Sequence, residues 1–391
     1  MAVENKTCKN PICRCAPQPD GFRGCTTSWM RLSFVAIFLS LNFLATVIVV
    51  HAQPWHQATP ANFFTLPTGG ETHVRYYATH PLDRPQPQIT RAVINIHGGA
   101  RRASAYFEAV GRGAQIAGVT ESCLILTPQF RLTEDKPAER ELWWDHDGDW
   151  KVGIDSTGKI THRVSSFAIA DLLLTELADR RRFPNLRMIV LTGHSSGGQF
   201  TQRYAVSSGA PDKLPPSVRM RFVVANPSSY FYFRPERVRP GTRYEFWIPP
   251  SDAKETKYHA YKHGLLEPPP YFKDADWNAW AARYRQRDVI YLLGTDDVYT
   301  MHTGLDISPG GQPRDRTASS VVAISWLTCT RFTRRTIICS SRFLPSGMKG
   351  IACSPPQPEF ERFTMSSPMS AASRMEWRQN PTVHGSDFFF Q

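Results

Sequence analysis

The stretch Arg187-Met-Ile-Val-Leu-Thr-Gly-His-Ser-Ser-Gly-Gly-Gln-Phe-Thr-Gln-Arg-Tyr-Ala-Val206 decides the reading of this chain. Its first part, Met188 to Thr192, is a short apolar run of the length and β-branched content of a buried strand. Its last part, Gln199 to Val206, can form a helix. Between them Gly193-His194-Ser195-Ser196-Gly197 packs a Gly-x-Ser-x-Gly pattern into the corner. A serine lifted off a strand end on so sharp a turn leaves no room for side chains two positions either side, which accounts for the glycines. A helix that starts at the same point aims free backbone N–H groups at any negative charge formed beside the hydroxyl.

Working outward, further apolar runs of strand length recur at Ala92–Ile96, Cys123–Thr127, Phe222–Ala225 and Val289–Leu293. Ser165-Ser166 opens a helical spacing of Phe167, Ala170, Leu173, Leu174 and Leu177, with Ser165 as N-cap, Asp179-Arg-Arg-Arg182 at the far end and Pro184 as the stop. Strands alternating with helices predict an α/β fold, a mostly parallel sheet with helices on both faces. The run 92–96 ends in His97-Gly98-Gly99-Ala100, a turn whose glycines let backbone N–H groups approach a ligand closely.

These stretches resemble the α/β-hydrolase superfamily, in its secreted serine esterase and lipase branch. The resemblance covers about residues 70–308 and is carried by Ile94-Asn-Ile-His-Gly-Gly, by Gly193-His-Ser-Ser-Gly-Gly-Gln-Phe with Arg203-Tyr-Ala, and by Val289-Ile-Tyr-Leu-Leu-Gly-Thr-Asp-Asp. It implies that Ser195 is the nucleophile and that Asp297 is the acid of the triad, with Asp296 second in line. It further implies an oxyanion site built from Ser196 and the Gly98–Gly99 region, and a histidine downstream of Asp297. The implied reaction is hydrolysis of a carboxylic ester, small or lipid-like, through an acyl-enzyme. It needs no cofactor and no metal.

The segment 229–287 interrupts the strand–helix rhythm with Tyr230-Phe-Tyr-Phe233, Trp247, Tyr258, Tyr261, Tyr271, Phe272, Trp277 and Trp280. It reads either as a cap-like insertion that shapes a substrate pocket or as ordinary core. Asp145-His-Asp-Gly-Asp149, flanked by Trp144 and Trp150, reads as a solvated loop, because it lacks the ligand order of a calcium-binding EF-hand.

The ends differ in character from the body. Residues 1–52 carry 5 basic and 2 acidic side chains, 53–312 carry 31 and 27, and 313–391 carry 10 and 5, so much of the net charge of +12 belongs to the termini. No basic stripe interleaved with aromatics is present, which argues against a nucleic-acid partner. The hydrophobic share of 41% excludes wholesale disorder. Cys8, Cys13, Cys15 and Cys25 precede the first apolar run and Cys329, Cys339 and Cys353 follow the body, so Cys123 has no partner for a disulfide inside it.

From Met30 a single arginine, a long apolar run and Val50-His51-Ala52 make a secretory signal with cleavage before Gln53, and residues 1–29 then form an upstream extension. Left uncleaved, 32–50 is long enough to anchor the chain in a membrane, the sole membrane contact foreseen. The chain is therefore divided into a signal region 1–52, a hydrolase domain 53–311 and an irregular tail 312–391. Only His302 and His384 follow Asp297, and neither has a strand-to-loop context. Codons permitted for Gly347–Pro355, read one base out of frame, allow His-Glu-Gly-Asp-Arg-Met-Phe-Thr, and Met348-Lys349 dictates the glutamate. A one-nucleotide slip near codons 309–312 would account for the tail; the alternative is a genuine, disordered Ser-rich tail. The alternative to a working hydrolase is a non-catalytic secreted binding protein, or a non-functional gene product, on the same fold.

Overall fold

The computed structural model describes residues 62–66, 72–157, 163–239, 245–248, 258–272, 276–294, 306, 310 and the backbone of 335–339. The main sheet has eight strands. In chain order they are β1 (Asn62–Thr65), β2 (His73–Ala78), β3 (Arg91–Ile96), β4 (Cys123–Gln129), β5 (Met188–His194), β6 (Arg219–Ala225), β7 (Asp288–Gly294) and β8 (Arg335–Cys339). The helices are α1 (Ala103–Ile116), α2 (Ser166–Ala178), α3 (Ser196–Ser207) and α4 (Trp277–Gln286). The spatial order is β1-β2-β4-β3-β5-β6-β7-β8. From β4 to β8 every pairing is parallel, and β1 and β2 add an antiparallel edge. This is the expected α/β fold.

Alternation along the strands creates two cores. Ala92, Ile94, Ile96, Leu124, Leu126, Ile189, Leu191, Phe222, Val224, Val289, Tyr291 and Leu293 face one way, where they meet Phe167, Leu173 and Leu177 of α2 and Phe200 and Tyr204 of α3. Val93, Ile125, Val190, Val223, Ile290 and Leu292 face the other way and meet Phe107, Val110 and Ala114 of α1. A strand with both faces covered reads as a continuous apolar run, which is why the sequence betrayed these five so clearly. Ser165 caps α2, its hydroxyl accepting from the N–H of Phe167 at 3.1 Å.

Three features extend the sequence reading. β2 buries Val74, Tyr76 and Ala78 on one face, a period-two strand whose outward residues include His73 and Arg75. In the aromatic segment, Tyr230, Phe231, Tyr232, Phe272, Trp280 and Tyr284 are buried in the same core as α2 and α3. Within the stretch read as an irregular tail, Arg335-Thr-Ile-Ile-Cys339 pairs in parallel with β7, as a β-branched run suits. Residues 1–61, which hold the signal reading, and most of the tail lie outside the described residues. Among those described, no helix is long and apolar enough to cross a membrane.

Candidate active site

The sheet order sets the position of the site. After β3 the chain crosses by α1 on one face to β4, whereas after β5 it turns into α3 on the other face. β3 and β5 are neighbours, with Ile96 opposite Gly193. Their C-terminal ends therefore border the crevice where the winding of the sheet reverses, the usual place for a ligand in an open α/β sheet. His97-Gly98-Gly99 leaves one strand there and Ser195 leaves the other.

Ser195 has φ 58° and ψ −116°, a backbone conformation that costs an L-residue on the order of 1–3 kcal/mol. The turn is held by its N–H, which donates to the Ala225 carbonyl at 3.0 Å, and by its own carbonyl, which accepts the first helical bond from Gln199 at 3.0 Å. Its hydroxyl makes no cap bond to α3 and stays half-buried. The flanking glycines are sterically required. A Cβ on Gly193 would lie 2.4 Å from the Gly197 backbone, one on Gly197 2.2 Å from the Ile96 carbonyl, and one on Gly198 2.6 Å from the Ala225 carbonyl.

Rigid peptide planes set the direction of the N–H groups in the glycine turn. The Gly98 carbonyl accepts from the Arg101 N–H at 2.9 Å and lies 2.9 Å from His97 Nδ1. The N–H of Phe130 donates to His97 Nε2 at 3.0 Å, so the ring proton sits on Nδ1 and is donated to the Gly98 carbonyl. With that carbonyl fixed by two donors, the Gly99 N–H of the same trans peptide points the opposite way. Gly99 borders the elbow, since a Cβ there would lie 3.1 Å from Ser196 Oγ. The Tyr106 hydroxyl lies beside Gly98, where an added Cβ would meet it at 2.3 Å. Gly99 and Ser196 present N–H groups with no partner among the described residues, and Ser196 has the first free N–H of a helix.

His97 is a structural histidine. It is fully buried and packs 4.5 Å from the Trp150 ring, with both nitrogens engaged, and burial pushes its pKa down to about 4. Between about pH 6.5 and 4 the unfolded chain binds a proton at this position that the folded chain refuses. The His97 contribution, on the order of 3 kcal/mol, is therefore present above pH 6.5 and lost as the pH falls to 4. Burial shifts His259 and His263 in the same direction. We expect the melting temperature to fall across this window, with the gap between the wild type and His97→Gln narrowing as the pH drops. A gap that stays constant from pH 7 to 4 would contradict the assignment.

Several supporting residues had no individual sequence signal. Arg101 follows the glycine turn and reaches Asp135, Glu134, Asp147 and the Gly99 carbonyl. The loop Asp145–Asp149 is anchored by fully buried Trp144 and Trp150, and Asp147 pairs with Lys151 at 2.7 Å and Arg101 at 3.3 Å. The buried polar side chains of α3 hold the strand ends. Gln199 bonds Ser228 and Ser229, Gln202 bonds Tyr291 and the Phe231 N–H, and Arg203 bonds Ser229 and the Lys262 carbonyl. Cys123 is buried and its thiol is pushed up to about 12, so it is no rival nucleophile. Asp296, Asp297, His302 and His384 lie outside the described residues, so Ser195, Ser196, Gly98 and Gly99 are the expected site residues that the structure brings together. Among the described residues no group of three or more metal-ligating side chains occurs.

No family model and no curated protein matches the chain. Several solved structures resemble it. Poly(aspartic acid) hydrolase-1 from Sphingomonas sp. KT-1 is 19% identical over 72% of this chain and 92% of its own, with a TM-score of 0.47. A poly(3-hydroxybutyrate) depolymerase from Bordetella parapertussis is 16% identical over 73% and 84%, with a TM-score of 0.47. A thermophilic esterase from Thermogutta terrifontis is 13% identical over 73% and 82%, with a TM-score of 0.37.

Proposed function

We propose that this chain is a serine hydrolase of carboxylic esters that works through an acyl-enzyme. The observation that carries the reading is the backbone of Ser195, held at φ 58° between two glycines at the start of α3, with the Gly99 turn alongside. Ser195 Oγ attacks the ester carbonyl, a histidine takes the hydroxyl proton and returns it to the departing alkoxide, and the N–H groups of Ser196 and Gly99 hold the oxyanion. Water then releases the acid by the same steps in reverse order. His97 is unsuited to act as the base, because both its nitrogens are committed. In this reading Asp297 orients the imidazole of a histidine beyond it; if the slip near codons 309–312 has removed that histidine, this chain is inactive apart from the residual rate of the oxyanion donors.

The test is a fluorogenic acyl ester assay on the wild type and Ser195→Ala. Turnover confined to the wild type supports the hydrolase. Equal hydrolysis by both identifies the alternative, a non-catalytic protein on the same fold.

The proposal includes export, with residues 30–52 acting as a signal. Protein recovered from the medium or periplasm of an expressing host should carry Gln53 as its first residue. An intact N-terminus on a cell-retained chain would overturn this part.

A further inference from the structure

Arg101 converges on the glycine turn through both its backbone and its side chain. Its residue lies at φ 55°, in the left-handed region, and is fixed there from two sides. Its N–H closes a turn onto the Gly98 carbonyl at 2.9 Å, and its carbonyl accepts from Gln129 Nε2 of β4 at 2.6 Å. The guanidinium then folds back, and one nitrogen donates to the Gly99 carbonyl at 3.1 Å.

The rest of the fork is braced from outside the turn. Nε and the second nitrogen take both oxygens of Asp135, at 2.7 and 3.2 Å, and Asp147 and Glu134 complete the surround. Asp135 is itself fixed by the Leu132 N–H at 2.8 Å, and Asp147 by Lys151 at 2.7 Å. Burial raises the pKa of both carboxyls, but hydrogen bonds and neighbouring cations together outweigh it, from Arg101, the Leu132 N–H and Arg131 at Asp135 and from Lys151, Arg101 and Trp150 at Asp147, so both lie below the ordinary carboxylate value.

Such an arrangement matters because of Gly99. A glycine between two peptide planes has little intrinsic resistance to rotation, and a plane that turns carries its N–H away from the position where an oxyanion forms. The turn meets the substrate side with Gly99 and the protein side with carbonyls. Something must therefore grip those carbonyls. His97 and the Arg101 N–H hold the Gly98 carbonyl, whose plane carries the Gly99 N–H, and the Arg101 side chain holds the Gly99 carbonyl of the next plane, so that Gly99 is gripped from both sides and cannot rotate between them.

We infer that Arg101 is a positioning residue for the oxyanion turn, a guanidinium clamp braced by Asp135 and Asp147 that keeps the Gly99 N–H aimed at the carbonyl attacked by Ser195. The inference rests on the Ser195 reading for its catalytic consequence, but the clamp itself is a property of the turn. A planar fork is needed, because a lysine ammonium cannot span Asp135 and the Gly99 carbonyl with the same fixed geometry.

The test uses the full-length protein and Arg101→Lys, with two readouts. Amide hydrogen exchange across 97–102 should quicken by tenfold or more in the variant, while 188–194 and 199–207 stay protected. In the ester assay kcat should fall by roughly 10- to 100-fold with KM within about twofold, the pattern of a contact realised in the transition state. Should Arg101→Lys fold poorly, Asp135→Asn removes the brace with Arg101 left in place and should shift both readouts in the same direction by less. Unchanged exchange at 97–102 overturns the clamp, as does a rise in KM at constant kcat. A wild type without turnover overturns the Ser195 reading instead, and the exchange result then decides the clamp alone.

Discussion

Ser195→Ala is expected to abolish ester turnover, with a loss on the order of 10⁴- to 10⁶-fold in kcat, and to leave KM close to the wild-type value. Removal of Oγ deletes the atom that forms the acyl bond, and triad members act as a unit, so the remaining groups contribute only the residual rate of the oxyanion donors. The same position yields a second expected result of opposite sign. At φ 58° and ψ −116° any residue with a Cβ is strained, and glycine is not. Ser195→Gly should be as inactive as Ser195→Ala yet more stable than it by about 1–2 kcal/mol, read as a rise in melting temperature. A Ser195→Gly protein no more stable than Ser195→Ala would show that the turn is not held under strain.

Gly197→Ala should cost at least about 3 kcal/mol and remove activity with the fold. The added Cβ meets the Ile96 carbonyl oxygen at 2.2 Å, the His97 carbonyl oxygen at 2.7 Å and the Ile96 carbonyl carbon at 2.9 Å. They belong to Ile96, the last residue of β3, and to His97 just after it; Ile96 is paired with Gly193 of β5 and cannot shift without breaking that ladder. The first turn of α3 must move instead, and it carries Ser195 and Ser196 with it. Gly148 in the acidic loop provides the control, since a Cβ there meets nothing within 4 Å. Gly148→Ala should fall within about 0.5 kcal/mol of the wild type. Chemical denaturation of the two variants tests the comparison, and equal midpoints would contradict the account of the elbow.

The features that were legible in the sequence share a physical cause. Strands buried on both faces must be apolar without interruption, and five of them stood out for that reason. Glycines crowded by packed neighbours are fixed by sterics, so Gly193 and Gly197 marked the corner, where a Cβ meets backbone, and Gly98-Gly99 the facing turn, where it meets Tyr106 and Ser196 side chains. β2 was less visible because its apolar side is built from Val74, Tyr76 and Ala78 alternating with polar neighbours over six residues. α1 was obscured by Gly111 and Gly113 and by a mixed polar face, although Phe107, Val110 and Ala114 keep the helical spacing.

The clamp around Arg101 could not be read from spacing. Its partners Glu134, Asp135 and Asp147 lie 33, 34 and 46 residues away, and only the fold joins them. The pairing of Trp144 and Trp150 around an acidic loop was a visible hint, since two buried tryptophans fix what lies between them. The proposed acid, Asp297, and the two histidines that follow it, His302 and His384, lie outside the described residues.

The central claim is that Ser195 is presented at the end of β5 with the N–H groups of Ser196 and Gly99 converging on the charge its attack creates. The most direct measurement is a crystal structure of the protein after reaction with an alkyl fluorophosphonate. The account predicts a phosphonyl group bonded to Ser195 Oγ, with its oxygen within hydrogen-bond distance of both N–H groups. An unmodified Ser195, or an adduct whose oxygen turns away from Gly99 and Ser196, would contradict it.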